Sequence, residues 1–156
     1  MTLRELRLKE GIPLKEASEI TGIPMRTYIR YEKEPEKENT IKYKHALTTL
    51  AEYTRIDEDK GILSIDAIRT GLGEVFKDKD VSFCILFGSY AKNRATEKSD
   101  IDLVVNTGIT GLAFYGLVEE IREKLKKKVD LLRIEDLTEN TGLLSEVLKD
   151  GVKVYG

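Results

Sequence analysis

In the first fifty-odd residues the apolar positions recur at helical spacing, and beyond them two periods alternate. Leu3, Leu6 and Leu8 open an amphipathic segment that stops at Gly11 and Pro13. Leu14, Ala17 and Ile20 then repeat at three-residue spacing, and Pro13 suits the first turn of that second helix. Thr21-Gly22 interrupts it, and Pro24 starts a third helix carrying MRTYIRYEKE. The charged stretch EKEPEKEN reads as an exposed loop. Helical spacing resumes from Ile41 to Tyr53 through Ala46, Leu47, Leu50 and Ala51. Nothing in this part reads as a strand.

The texture changes at the polar run Arg55 to Lys60, which places a boundary there and divides the chain into residues 1–56 and 57–156. Ser64 to Phe76 reads as a helix with Ser64 as its N-cap. Val81 to Phe87, Ile101 to Val105 and Val129 to Ile134 read as strands, the first a buried one. Phe114 to Lys127 is an amphipathic helix whose last turn gathers Lys124, Lys126, Lys127 and Lys128, charges favoured at a helix C-terminus. A helix over Leu137 to Leu148 and a short VKVY strand close the chain. Helices followed by mixed strands and helices make an α+β chain.

Composition narrows the class. With 12 Gly, 3 Pro and 1 Cys in 156 residues, the chain is no collagen, low-complexity segment or disulfide-framed miniprotein. Hydrophobic content of 40% supports a core, and no stretch nears the roughly 18 apolar residues of a membrane span. MTLRELRLKEGIPL lacks the apolar centre of a signal peptide, so a soluble, cytoplasmic protein with no membrane partner is expected. The net charge of -2 does not advertise nucleic acid, although residues 1–30 carry six basic against four acidic side chains, a local excess of +2. Cys84, inside VSFCILF, is expected to be a buried, inert thiol. His45 has no second His or Cys near it and is not expected to hold a metal.

The chemistry concentrates in Phe87 to Val105, FGSYAKNRATEKSDIDLVV. Side chains alternate along a strand, so Asp100 and Asp102 point to one face and Ile101 and Leu103 to the other. Gathering like charges costs several kcal/mol, on the order of what buried ions cost, unless a cation compensates. Asp130, in KVDLL, is a third acid within a strand-like run. Three acids on adjoining strands make an oxygen-rich pocket suited to Mg2+. Gly88-Ser89, after the buried strand, lets backbone amides approach a ligand, and Ser89 adds a hydroxyl. Lys92 and Arg94 lie within reach of the same loop as phosphate partners. The chemistry implied is phosphoryl or nucleotidyl transfer.

Gly88-Ser89, ten residues, then Asp100-Ile101-Asp102, with Asp130 in a later strand, resembles the nucleotidyltransferase superfamily related to DNA polymerase β, and most closely its minimal group. The resemblance covers Ser64 to Gly156; where the family often shows Arg-Gly, this chain has Lys92-Asn93. It implies an α/β fold with a mixed sheet, two Mg2+ ions held by Asp100, Asp102 and Asp130, and an ATP triphosphate gripped at Gly88 and Ser89. By the same resemblance Asp100 and Asp102 bind both ions, and Asp130 holds the one that activates the acceptor hydroxyl.

The first part resembles the helix-turn-helix of phage-repressor-like regulators over PLKEASEITGIPMRTYIRYE, down to Tyr31-Glu32 at the end of the reading helix. That resemblance implies an all-α DNA-binding bundle with Arg26, Thr27 and Arg30 facing operator DNA, and a homodimer on two half-sites. Tyr28 and Tyr31 pack inward, and Lys33 and Lys42 reach phosphates. The bland counterpart is a helical appendage that only packs against a partner. Minimal nucleotidyltransferases are often antitoxins that transfer AMP from ATP to a tyrosine of a HEPN-type ribonuclease toxin, and a fused helix-turn-helix fits operon autoregulation. Two other classes compete: a small-molecule enzyme like the aminoglycoside nucleotidyltransferases, and a DNA-binding regulator whose inactive nucleotidyltransferase half senses nucleotide.

Overall fold

Side-chain caps and prolines set where the helices begin. The computed structural model describes residues 1–156, which form eight α-helices, two 3-10 turns and a four-stranded mixed sheet, an α+β fold. They divide into two compact units, Met1–Arg55 and Ile56–Gly156. In the first, α1 (Leu3–Lys9) starts from a capping box: the Glu5 N–H donates to Thr2 Oγ1 at 3.1 Å, and the Thr2 N–H donates to Glu5 Oε2 at 2.7 Å. α2 (Leu14–Thr21) and α3 (Met25–Lys33) each follow a proline, Pro13 and Pro24, at the cap position rather than inside the first turn. Gly22 ends α2 with φ of 68°, a left-handed turn that glycine adopts without strain. EKEPEKEN is not a plain loop: Pro35–Asn39 winds into a 3-10 turn, because proline presets its first φ. α4 (Ile41–Thr54) is capped by Thr40.

Leu3, Leu6, Ala17, Tyr28, Tyr43, Ala46 and Leu50 form the core of this unit, whereas Leu8 is exposed. Arg7 crosses from α1 to α3. Its Nε donates to Glu32 Oε1 at 2.6 Å and its Nη2 to Oε2 at 3.0 Å, while Nη1 donates to the Ile12 carbonyl at 3.1 Å. Glu32 therefore neutralises one of the six cations that the local charge excess counts.

The second unit runs α5 (Ile65–Phe76), β1 (Val81–Phe87), α6 (Gly88–Ala91), β2 (Ile101–Thr107), α7 (Gly111–Leu125), β3 (Val129–Arg133), a 3-10 turn (Ile134–Leu137), α8 (Thr141–Asp150) and β4 (Val152–Tyr155). The strand order is β3-β2-β1-β4, with β2 and β3 parallel and the other pairs antiparallel. Ile101, Leu103 and Val105 face one layer, packed with Ile68, Leu72 and Phe76 of α5 and Leu117 and Ile121 of α7. Val104 and Phe87 face the other, against Leu137 and Val147. Alternation along β2 thus buries both faces of the sheet in turn.

Two helices depart in their bounds from the sequence pattern. α7 begins at Gly111, three residues ahead of Phe114, and ends at Leu125. Lys126 turns left-handed (φ 60°), and Lys127 is fully buried, its Nζ donating to the carbonyls of Glu97 (2.6 Å) and Lys60 (3.2 Å). Of the lysine run, Lys124 alone lies in the last helical turn. The chain has to reverse into β3 there, and Lys127 satisfies loop carbonyls instead of a helix end. The last helix starts at Thr141 rather than Leu137, capped by Asn140, whose side chain accepts from the Leu143 N–H at 3.0 Å. No helix is long and apolar enough to cross a membrane.

Candidate active site

Strand register brings two of the three acids together. At the end of β1, Phe87 stands opposite Asp102 of β2, and Asp102 stands opposite Asp130 of β3. Asp102 shares the face of Val104, the side of the sheet that packs against α8. Asp100 precedes β2 rather than lying in it, and it is exposed, as is Asp130; Asp102 is half-buried.

Gly88 fits this corner for two reasons. Its φ is 71°, a conformation side chains rarely adopt, and a Cβ there would press on the Asp102 carboxylate, 3.0 Å from its Cγ. The residues after it curl back on themselves: the Lys92 N–H donates to the Gly88 carbonyl at 3.1 Å and the Arg94 N–H to the Ser89 carbonyl at 2.9 Å. Ser89, in the single turn of α6, is half-buried beside Gly88. Of the two cations in this loop, Arg94 is exposed, and Lys92 is held by α8 through an ion pair of 2.8 Å to Glu146.

Asp102 feels the crowding. Burial first, then the charges of Asp130, Asp100 and Glu146, push its pKa from 3.8 up to about 6. The charges that bear on it are all carboxylates, the ligand chemistry of a hard divalent cation, and a cation would relieve the repulsion. No three acidic, imidazole or thiolate groups are drawn together closely enough to enclose an ion by themselves. Sequence reasoning missed Glu146, since nothing in the spacing of α8 tells which helical glutamate looks back at the sheet. Cys84 points into the opposite layer, fully buried, and burial pushes its thiol up to about 12, so it has no part in the site.

In the first unit, Arg26 and Arg30 of α3 are exposed and Thr27 is half-buried. Tyr28 is fully buried, and Tyr31 meets Tyr43 edge-on at 6.1 Å. Arg30 lies 3.5 Å from Glu34. Lys33 and Lys42 are exposed.

Residues 71–156, which span every element of this corner, match the family model described as "Polymerase beta, Nucleotidyltransferase". The chain belongs to the polymerase β nucleotidyltransferase family. Two relatives of this nucleotidyltransferase come from Methanocaldococcus jannaschii. "Putative protein adenylyltransferase MJ0128" is 43% identical over 63 residues, covering 39% of this chain and 61% of the relative's length. "Putative protein adenylyltransferase MJ0435" is 32% identical over 95 residues, covering 59% of this chain and 99% of the relative. Among solved structures, a chain described as "Crystal structure of the toxin-antitoxin with AMP-PNP" is 24% identical, with a TM-score of 0.49 over 56% of this chain and 73% of the other. Another, described as tri-AMPylated Shewanella oneidensis HEPN toxin in complex with MNT antitoxin, is 22% identical, with a TM-score of 0.45 over 59% and 72%.

Proposed function

We propose that this nucleotidyltransferase is an Mg2+-dependent antitoxin that transfers AMP from ATP to a tyrosine hydroxyl of a HEPN-type ribonuclease toxin, silencing it. One observation carries the reading: Asp102 is wedged between Asp130 and Gly88 with its pKa raised to about 6, a corner short of positive charge. Two relatives named as protein adenylyltransferases support a protein acceptor. The exposure of Asp100 and Asp130 supports it too, because a tyrosine carried on another protein's surface reaches an open corner.

Asp100, Asp102 and Asp130 would hold two Mg2+ ions, which when bound neutralise the triphosphate and acidify the acceptor hydroxyl. Gly88 brings backbone close to the phosphates, Ser89 donates a hydrogen bond, and Lys92 and Arg94 supply charge-assisted ones. The acceptor oxygen forms its bond to the α-phosphorus in line as the bond to pyrophosphate breaks, and the hydroxyl proton leaves on the Asp130 side. Positioning and electrostatics carry the step, so no side chain becomes covalently linked.

Residues 1–56 serve in this reading as a helix-turn-helix head on operator DNA. α2 is the scaffold helix, α3 the reading helix with Arg26, Thr27 and Arg30, and a homodimer spans two half-sites. The short Gly22–Pro24 connection and the exposed arginines of α3 support it.

The test is incubation with Mg2+ and ATP labelled at the α-phosphate in extract of the native host, beside an Asp100→Asn/Asp102→Asn control. Label on one protein band with the unmodified chain alone, at a tyrosine by mass spectrometry, is the expected result. Absence of label from every macromolecule overturns the reading.

A further inference from the structure

Lys92 links the Gly88-Ser89 turn to α8. Its backbone belongs to the turn that carries Gly88 and Ser89, since its N–H donates to the Gly88 carbonyl. Its ammonium, however, is bound 2.8 Å from Glu146 Oε1 on α8, with Asp150 nearby adding to the acidic field and Arg94 opposing it. Both side chains of the pair are 33% exposed, so the contact is neither sealed nor out of reach of an incoming anion. Glu146 is also close enough to the carboxylates for its charge to bear on Asp102.

We propose that Glu146 is a positioning residue that holds Lys92 off the triphosphate site until phosphate oxygens compete for the ammonium. This rests on the assignment of Lys92 to the nucleotide's phosphates. A lysine is suited to such an exchange, being a compact charge on a flexible stem with no fixed bidentate geometry to break. Partly exposed ion pairs are weak. The latch therefore tunes nucleotide affinity and does not block it, by up to about fivefold.

The experiment is a double-mutant cycle read by calorimetry, with the α,β-methylene analogue of ATP and Mg2+ as the probe. The four proteins are the unmodified chain, E146Q, K92M and E146Q/K92M, each checked for an unchanged melting curve. E146Q should tighten binding by about threefold to fivefold, while the same change in the K92M background shifts affinity less than about twofold. E146D, which keeps the charge, should restore the affinity of the unmodified chain. Equal tightening in both backgrounds means that Glu146 acts only as a nearby negative charge, and it overturns the latch. So does an unchanged affinity in E146Q. A chain that binds no analogue at all overturns the functional reading first and this inference with it, whereas transfer activity with an additive cycle sinks the latch alone.

Discussion

Asp102 is a residue the fold tolerates at a cost. Folding raises its pKa from 3.8 to about 6, so the folded state favours the protonated carboxyl. Its contribution to stability is present below about pH 4 and is lost as pH rises through about 6, the reverse of a salt-bridged acid. Asp102→Asn keeps the shape and removes the titration. In EDTA, the Asn variant should be more stable than the unmodified chain at pH 7.5, by about 1–2 kcal/mol after discounting for partial exposure. The gap should close by pH 4. Urea unfolding midpoints at the two pH values measure it, and an Asn variant that is less stable at pH 7.5 would show that the carboxylate has a stabilising partner. The same variant should lose AMP transfer to background. Gains in stability where function is lost mark an active-site residue and not a packing one.

Element by element, the sequence disclosed what local rules govern. Val81–Phe87 was legible to the residue because an unbroken apolar run between polar turns has one reading, and Ser64 because its cap chemistry is local. The alignment of Asp102 with Asp130 beside Gly88 follows from the spacing, whereas Asp100 stands before β2. What stayed hidden depends on distant partners. Lys127 read as a helix-end charge, yet its two acceptors lie 30 and 67 residues away in the chain. Glu146 needed α8 laid across the sheet before its nearness to Asp102 and Lys92 emerged. Arg7 and Glu32, 25 residues apart, follow no helical or strand period. Their side chains are 11% and 7% exposed, and they clamp α1 to α3 with a forked pair. Removing one partner from a pair this deep leaves a charge stranded beside Tyr28, whose hydroxyl pKa already rises from burial and from Glu32. Arg7→Met should therefore destabilise the Met1–Arg55 unit by about 3 kcal/mol, and Arg7→Met/Glu32→Leu by clearly less. Chemical denaturation followed by circular dichroism decides it; equal losses in the two variants would mean that the clamp acts by packing alone.

At the scale of the whole molecule, three apolar clusters are built, one in the first stretch of chain and two in the second. Leu3, Tyr28, Tyr43 and Leu50 close one within Met1–Arg55, and the layers on either side of the sheet close the others within Ile56–Gly156. Every contact described for the candidate site, from the Asp102–Asp130 register to the Lys92–Glu146 pair, is internal to the second unit. So is the binding of Lys127 to the Lys60 carbonyl, which ties the first residues of that unit to its sheet. Cutting the chain at the boundary removes no side chain from the carboxylate corner. Ile56–Gly156 expressed alone should fold and keep AMP transfer within about threefold of the full chain, a change of well under 1 kcal/mol in the barrier. On the proposed reading of the first unit, operator binding is lost altogether, since Arg26, Thr27 and Arg30 go with it. The paired measurement is label transfer against a gel-shift titration on the DNA upstream of the coding region, run at two salt concentrations because phosphate contacts weaken with salt. If transfer collapses while Ile56–Gly156 remains folded, the helical unit helps present the acceptor. If neither the full chain nor Arg30→Ala shifts the DNA, the exposed face of α3 docks a protein, and the excess of +2 charges over residues 1–30, already trimmed by Glu32, loses its meaning as a DNA signal.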